Sequence, residues 1–187
     1  NRVLIDNPEY TENELINKIK QEMNVSQIAI IDEEALEATG HADGMVTFIN
    51  DNIIGINNAS YATEYNLYIK NKEILNAAFG KNNISIIDLP YDPTWEHYRQ
   101  YFSAKGVYTN VLTGLYTQYS PIYSETNGDD TLNIDILNEY NSINVNAIGV
   151  NATDVCILGG AVRCLTWYIW GKPADAFINA HNIVKPR

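Results

Sequence analysis

Residues 45–50 and 53–58 are two short apolar runs separated only by Asp51 and Asn52. Asp and Asn favour tight turns, so this spacing predicts two strands joined in a hairpin. A helical apolar pattern follows over residues 61–79 and ends at Gly80, where glycine commonly terminates a helix. Residues 84–89 then predict a third strand, closed by Pro90. A strand, strand, helix, strand order indicates an α/β fold.

The rest of the chain continues this mixture of helices and strands. Thr11 and Glu14 have the spacing of a capping box and predict a helix that begins there. The other predicted elements are a strand at 28–31, a helix at 95–104, β structure at 108–123 broken near Gly114 and Pro121, a helix capped by Asp129 or Asp130, a strand at 145–150, and β structure at 155–170 broken at Gly159 and Gly160. This order lacks the regular alternation of a doubly wound sheet, and the sequence contains neither a GxGxxG nor a GxxxxGK[ST] phosphate loop.

Composition and charge narrow the classes of partner. A chain of 187 residues with 45% hydrophobic residues is long enough for one domain with a sizeable core. The 12 Lys and Arg against 23 Asp and Glu give a net charge of −11, and no basic cluster occurs, so we expect no binding to nucleic acid or to an anionic membrane. No apolar run is long enough to span a bilayer, and no signal peptide pattern opens the chain. The acidic balance suits a cationic substrate.

The first candidate for chemistry is the pair His41 and Asp43 in GHADGMV. In an extended strand, alternate side chains point to the same side, so the pair would face one way. A carboxylate beside a histidine orients the ring for general acid–base work. The alternatives are a solvated turn before a strand, or part of a metal site whose further ligands are not evident. His97 and His181 are interpreted as surface residues.

The second candidate is Cys164 in GGAVRCLTW. Glycines shortly before a cysteine permit tight turning and close approach of the backbone to a ligand, which suits a nucleophile. The alternative is a buried strand cysteine, because free cysteines commonly lie in the core. Cys156 has the features of a core residue, and two reduced thiols are the simplest interpretation of this cysteine count. Asn110, in Tyr108-Thr109-Asn110, would orient a polar substrate or complete a turn.

Taken together, GHADGMV, YTN and GGAVRCLTW resemble the agmatine deiminase and Porphyromonas-type peptidylarginine deiminase family of guanidino-modifying enzymes, over roughly residues 7–167. The resemblance implies catalytic roles for His41, Asp43 and Cys164 and a place in the substrate site for Asn110. It implies hydrolytic deimination of a guanidino compound to a ureido product and ammonia through a covalent cysteine intermediate. Agmatine, arginine and arginyl peptides remain the candidate substrates, and the reaction requires neither a metal nor an organic cofactor. The alternatives are an amidinotransferase of the same fold and a catalytically silent binding domain.

The resemblance also implies a fold, a five-bladed α/β propeller of ββαβ repeats called a pentein. At 187 residues the chain is too short for the whole propeller, so we expect a single partial domain over 1–187 that corresponds to its C-terminal part. The family takes a further guanidinium-binding carboxylate from the N-terminal part, and neither Asp6 nor the pair Glu33-Glu34 lies in that motif. We therefore expect residues 1–187 alone to be inactive and to associate with the missing half or with copies of themselves.

Overall fold

The protein is described by a computed structural model that covers residues 2–34, 40–59, 64–93, 97–98, 101–114, 116–124, 131–166 and 172–180. Its helices are α1 (Arg2–Ile5), α2 (Glu12–Met23), α3 (Tyr65–Phe79), α4 (Thr131–Ser142), α5 (Thr153–Cys156) and α6 (Lys172–Ala180). Its strands are β1 (Val46–Asn50), β2 (Ile53–Asn57), β3 (Ser85–Leu89), β4 (His97–Tyr98), β5 (Tyr101–Phe102), β6 (Leu112–Thr113), β7 (Thr117–Ile122) and β8 (Asn146–Asn151).

Strands β1, β2 and β3 form one three-stranded sheet with α3 in the connection. β1 and β2 pair antiparallel as a hairpin, whereas β2 and β3 pair parallel, with Asn57 opposite Leu89 at their ends. A parallel pair needs a long crossover, and the 15-residue helix α3 supplies it. The result is a ββαβ unit.

Strands β6, β7 and β8 repeat the same arrangement in a second sheet. β6 and β7 pair antiparallel, α4 follows, and β8 returns parallel to β7. The chain therefore contains two ββαβ units of the same topology, each with a helix between its parallel strands.

Two buried apolar clusters hold these units. One lies between the first sheet and α3 and contains Ile54, Ile56, Ala59, Tyr68, Leu75, Phe79 and Tyr91. The other joins residues of both sheets and α4 to the segment that carries the cysteines, and contains Ile49, Leu89, Tyr108, Val111, Tyr123, Ile136, Tyr140, Ala152, Cys156, Ala161 and Val162. Because this second cluster holds Val111 together with Ala161 and Val162, it fixes the chain on both sides of the residues considered below.

Several sequence predictions are confirmed. Thr11 caps α2 and forms the full capping box with Glu14. The hairpin of β1 and β2, the strand β3 and the strand β8 lie where their apolar patterns placed them. Helix α4 begins at Thr131, directly after its two predicted caps, which lie outside the described residues.

Two predicted elements near the middle of the chain are wrong. Residues 28–31 are not a strand, and next to them the backbone of Asp32 pairs with the side-chain amide of Asn71 instead of a neighbouring strand. The predicted helix at 95–104 is replaced by the short antiparallel pair β4 and β5, so His97 lies in a strand. Aromatic residues favour strands over helices, which accounts for the second error in this Tyr-rich stretch.

Two predictions about β structure also need correction, and one about a helix end is confirmed. Residues 155–166 are turns and short helical segments, in which several N–H groups bond to carbonyls three or four residues earlier. Pro121 does not break β7. Strand β6 is too short to reach Pro121, so on that side of β7 no hydrogen bond between strands needs the N–H that proline lacks. Helix α3 ends at Phe79, directly before Gly80, as predicted; Gly80 itself keeps a right-handed backbone, and the left-handed residue is Asn83, with φ of 59°.

None of the helices within the described ranges combines the length and the apolar character that crossing a bilayer requires.

Candidate active site

His41 and Asp43 lie on a turn and not on an extended strand. Residues Ala42–Gly44 form one turn of 3₁₀-helix that His41 precedes, which corrects the expectation of alternating side chains on a strand. The turn leads into β1 through Met45, which is buried. Asn57, at the end of β2, donates its backbone N–H to the carbonyl of Met45 and its side-chain amide to the carbonyl of Gly44. The end of β2 therefore fixes the position of this turn through the hydrogen bonds of Asn57.

The segment around Cys164 is a series of tight turns that leaves this cysteine exposed. Gly159 has φ of +87°, a left-handed conformation that favours glycine. At Gly160 a side chain would meet Cys164, since an added Cβ would lie 2.9 Å from its Cβ and 3.2 Å from its Sγ. Ala161 and Val162 are buried in the shared core and anchor the segment. The backbone conformation therefore favours glycine at position 159, and the closeness of Cys164 favours glycine at position 160.

Asn110 joins the histidine–aspartate turn to the cysteine segment. Its side-chain Nδ2 lies 3.0 Å from Asp43 Oδ2 and 3.2 Å from Cys164 Sγ and donates to both. Its Oδ1 accepts from the backbone N–H groups of Ala161, Arg163 and Cys164, at 3.2, 3.1 and 3.4 Å. Only 4% of Asn110 is exposed, so these polar contacts replace the water that the amide would otherwise bind. One side chain thus sets the position of Asp43 relative to the sulfur of Cys164.

Arg163 provides a positive charge beside the same carboxylate. Its Nε lies 3.7 Å from Asp43 Oδ2, and both side chains are partly exposed, at 45% and 31%. This contact is at the outer limit of an ion pair and is accessible to solvent, so it contributes little to stability. Its interest lies in its location, because a guanidinium group of the chain itself faces Asp43.

The structure brings Asp43 and Cys164 each into contact with Asn110. His41 lies two residues before Asp43 and is exposed. Cys156 is buried at 1% exposure, as predicted for a core residue, and both cysteines are free. His181 lies outside the described residues. Sequence analysis missed Arg163, for which the only signal was its position next to the cysteine.

The cluster holds an exposed sulfur and a carboxylate on the same buried amide. Among the residues that the structure describes, no three His, Cys, Asp or Glu side chains are grouped so that they could hold a metal ion. A solvent-accessible sulfur, an N–H donor directed at it and a neighbouring carboxylate together suit attack on a planar cation.

We expect Gly160→Ala to slow alkylation of Cys164 by about tenfold or more, because the added methyl group displaces the sulfur and small displacements in a site have large effects on rate. The measurement is the second-order rate constant for labelling by iodoacetamide. Gly44→Ala is the matched control, since a Cβ at Gly44 has nothing within 4 Å. Equal labelling rates in the Gly160 variant and the wild type would show that the close approach does not set the position of Cys164.

Comparison with known proteins is consistent with this geometry. The model of the Porphyromonas-type peptidyl-arginine deiminase family matches residues 2–169. Similar solved structures include a protein provisionally named peptidyl-arginine deiminase (18% identity, TM-score 0.67, 88% of this chain and 50% of the other), the agmatine deiminase of C. jejuni (20%, 0.60, 82% and 46%) and that of Enterococcus faecalis (15%, 0.63, 84% and 48%). A search of curated proteins finds no match.

The solved structures support the fold, which is the mixed α/β fold of the agmatine deiminases. The chain spans about half the length of each of these proteins. The family match extends over most of the chain and includes the turn with His41 and Asp43, Asn110 and the segment with Cys164. The chain therefore belongs to the Porphyromonas-type peptidyl-arginine deiminase family of guanidino-modifying enzymes.

Proposed function

We propose that this chain carries the catalytic residues for hydrolytic deimination of a guanidino compound. The observation that carries the proposal is the contact of one buried amide, that of Asn110, with both Asp43 and Cys164. The carboxylate of Asp43 and the sulfur of Cys164 therefore accept from the same side-chain amide of Asn110. A planar cation bound to Asp43 would then present its central carbon to the sulfur.

Asp43 is proposed to bind the guanidinium group. A carboxylate and a guanidinium form paired, charge-assisted hydrogen bonds in a fixed plane, which orients the carbon as well as binding the charge. Asp43 Oδ2 is already engaged by Asn110 and faces Arg163 in the free protein. A substrate guanidinium therefore takes over the contact that Arg163 makes with this carboxylate.

Cys164 is proposed to attack the guanidinium carbon as a thiolate and form a tetrahedral intermediate. The donor from Asn110 stabilises negative charge on the sulfur and holds it in position. Protonation of one amino group by His41 releases ammonia. The guanidinium carbon then remains bound to the sulfur of Cys164 as an S-alkylthiouronium intermediate. His41 then removes a proton from water, which adds to the same carbon; collapse of this second intermediate gives the ureido product and regenerates the thiol.

The two ββαβ units are proposed to be blades of a five-bladed propeller that this chain forms only in part. The proposal is supported by the repeated topology and by the chain's coverage of about half of the similar structures. In such a ring a further carboxylate from the other part would share the charge of the substrate with Asp43. The candidate substrates are agmatine, arginine and arginyl peptides, which differ only beyond the guanidinium group.

We expect Asp43→Asn to lower kcat/KM for a guanidino substrate by at least about tenfold in the complete protein. A charge-assisted contact of this kind contributes on the order of 2–5 kcal/mol when one partner is neutralised, and about 1.4 kcal/mol corresponds to one decade. Asp88→Asn is the control, because Asp88 is a partly exposed carboxylate paired with Lys72 outside the cluster. Wild-type kinetics of Asp43→Asn on a substrate that the wild type converts would remove Asp43 from the site.

A further inference from the structure

A small pocket lies behind the histidine–aspartate turn, at the ends of the parallel strands β2 and β3. Its interior volume is about 20 Å³, and it is lined by Glu34, Met45, Ile56, Asn57, Ala59, Glu64, Leu67, Tyr68, Asn71 and Tyr91. Asn57 and Leu89 are opposite each other at the carboxyl ends of the two strands, which is the edge where α/β folds place ligands. A cavity needs about 10–15 Å³ to hold one water molecule, so the pocket has room for a single ion of about that size.

Asn57 contributes an unpartnered oxygen to this pocket. Asn57 is only 4% exposed, and its Oδ1 has no hydrogen-bond partner. Its Nδ2, in contrast, donates to the carbonyl of Gly44. That bond fixes which end of the amide faces the pocket, because exchanging the two ends would set two oxygens against each other. A buried acceptor without a donor lowers the stability of the fold, so a cation or an N–H group beside Asn57 Oδ1 would be stabilising.

The other polar groups of the pocket are also suited to a cation. Glu34 and Glu64 contribute carboxylates, and the hydroxyl of Tyr91 lies 2.8 Å from Glu34 Oε1 and donates to it. Burial raises the pKa of Tyr91 above its ordinary value, and the negative charges of Glu34 and Glu64 raise it further, so both carboxylates act at this hydroxyl. The described lining residues include no Lys, Arg or His. Apolar walls of Met45, Ile56 and Leu67 strengthen the field inside.

We propose that this pocket binds a monovalent cation of the size of ammonium or potassium, with Asn57 Oδ1 as one ligand and the carboxylates of Glu34 and Glu64 as the charge that balances it. The two ions share charge and similar size, and ammonium is also released by the proposed reaction. The site touches the catalytic turn, since the backbone and side chain of Asn57 bond to Met45 and Gly44. A cation bound to Asn57 Oδ1 therefore stabilises the position of this turn.

The test is the thermal unfolding of the complete protein in KCl, NH4Cl or choline chloride at equal ionic strength. At a cation concentration about fivefold above the dissociation constant, we expect Tm to be about 1–2 °C higher than in choline chloride. A rise with both ions identifies the shared chemistry, whereas a rise with ammonium alone identifies a site for the product ion. Equal Tm values in all three salts would overturn the proposal and leave water as the partner of Asn57.

Charge-neutralising variants locate the effect in the pocket. Glu64→Gln and Glu34→Gln should each remove the cation-dependent rise in Tm. The Tm of each variant in KCl or NH4Cl is compared with the Tm of the same variant in choline chloride, so that a change in basal stability cancels. Glu73→Gln is the matched control, because Glu73 lies exposed on helix α3, which begins directly after Glu64, and does not line the pocket. A rise that persists in both pocket variants would contradict the assignment. Thallium(I), which replaces both cations, should give an anomalous peak beside Asn57 Oδ1 in crystals, and a peak only elsewhere would also overturn it.

Discussion

Replacing Cys164 with alanine is expected to abolish deimination by the complete protein, with a loss of at least about a thousandfold in kcat, because the change removes the thiol that is proposed to form the covalent intermediate. The same change should abolish labelling by a haloacetamidine, a reagent that resembles the guanidinium group and alkylates a nearby thiol. Both effects are measured directly, by ammonia release and by the mass of the labelled protein. This is the largest effect that the account predicts.

Cys156→Ala is the matched control for the nucleophile. Cys156 is 1% exposed, and its Sγ lies 3.1 Å from the carbonyl of Thr153, so no reagent of this size reaches it in the folded protein. We expect labelling and activity close to those of the wild type, with a modest loss of stability from the missing sulfur. Equal loss of activity in both variants, or persistent labelling of Cys164→Ala, would exclude Cys164 as the nucleophile.

Asn110→Ala is expected to lower kcat/KM by about a hundredfold. The change removes the donor shared by Asp43 and Cys164 and the acceptor of three backbone N–H groups in the cysteine segment. A misplacement of about 1 Å in a reacting group is enough for a loss of this size. Leaving the buried N–H of Ala161 without an acceptor should also cost about 1–3 kcal/mol of folding free energy.

A second variant separates position from simple destabilisation. Asn133 also holds backbone groups with both ends of its amide, at the N–H and carbonyl of Tyr123, but it lies outside the cluster. Asn133→Ala should therefore lower Tm by a comparable amount while keeping near-normal kcat/KM and labelling of Cys164. If Asn110→Ala retains the labelling rate of the wild type at a temperature where it is folded, Asn110 does not position the sulfur.

Helix α2 and the first ββαβ unit could be predicted because their signals are local. The Asp51-Asn52 turn lies between two apolar runs, and the capping box of Thr11 and Glu14 needs only four consecutive residues. The stretch from Val155 onward has similar apolar content, yet it forms turns, because buried Ala161 and the bonds to Asn110 decide its path. Apolar content alone does not distinguish a strand from a buried turn.

The site could be predicted only as a set of residues. The motifs identified Asp43, Asn110 and Cys164, but the bonds of Asn110 to the other two span 67 and 54 positions of sequence, so their geometry depends on the packing of both units. The contact of Arg163 with Asp43 arises in the same way. The pocket beside Asn57 gave no local signal, because it combines Glu34, Glu64 and Tyr91 from separate parts of the chain.

The most direct test of the central claim is to follow the conversion of guanidino-labelled ¹³C,¹⁵N substrates by NMR in the complete protein. Agmatine, arginine and an arginyl peptide are compared, each without an added amine acceptor. The account predicts that at least one substrate gives a ureido carbon and one labelled ammonium per turnover, and that Cys164→Ala gives neither. Transfer of the amidino group only when an amine is added would indicate an amidinotransferase. Absence of any conversion, or conversion that persists in Cys164→Ala, would contradict the account.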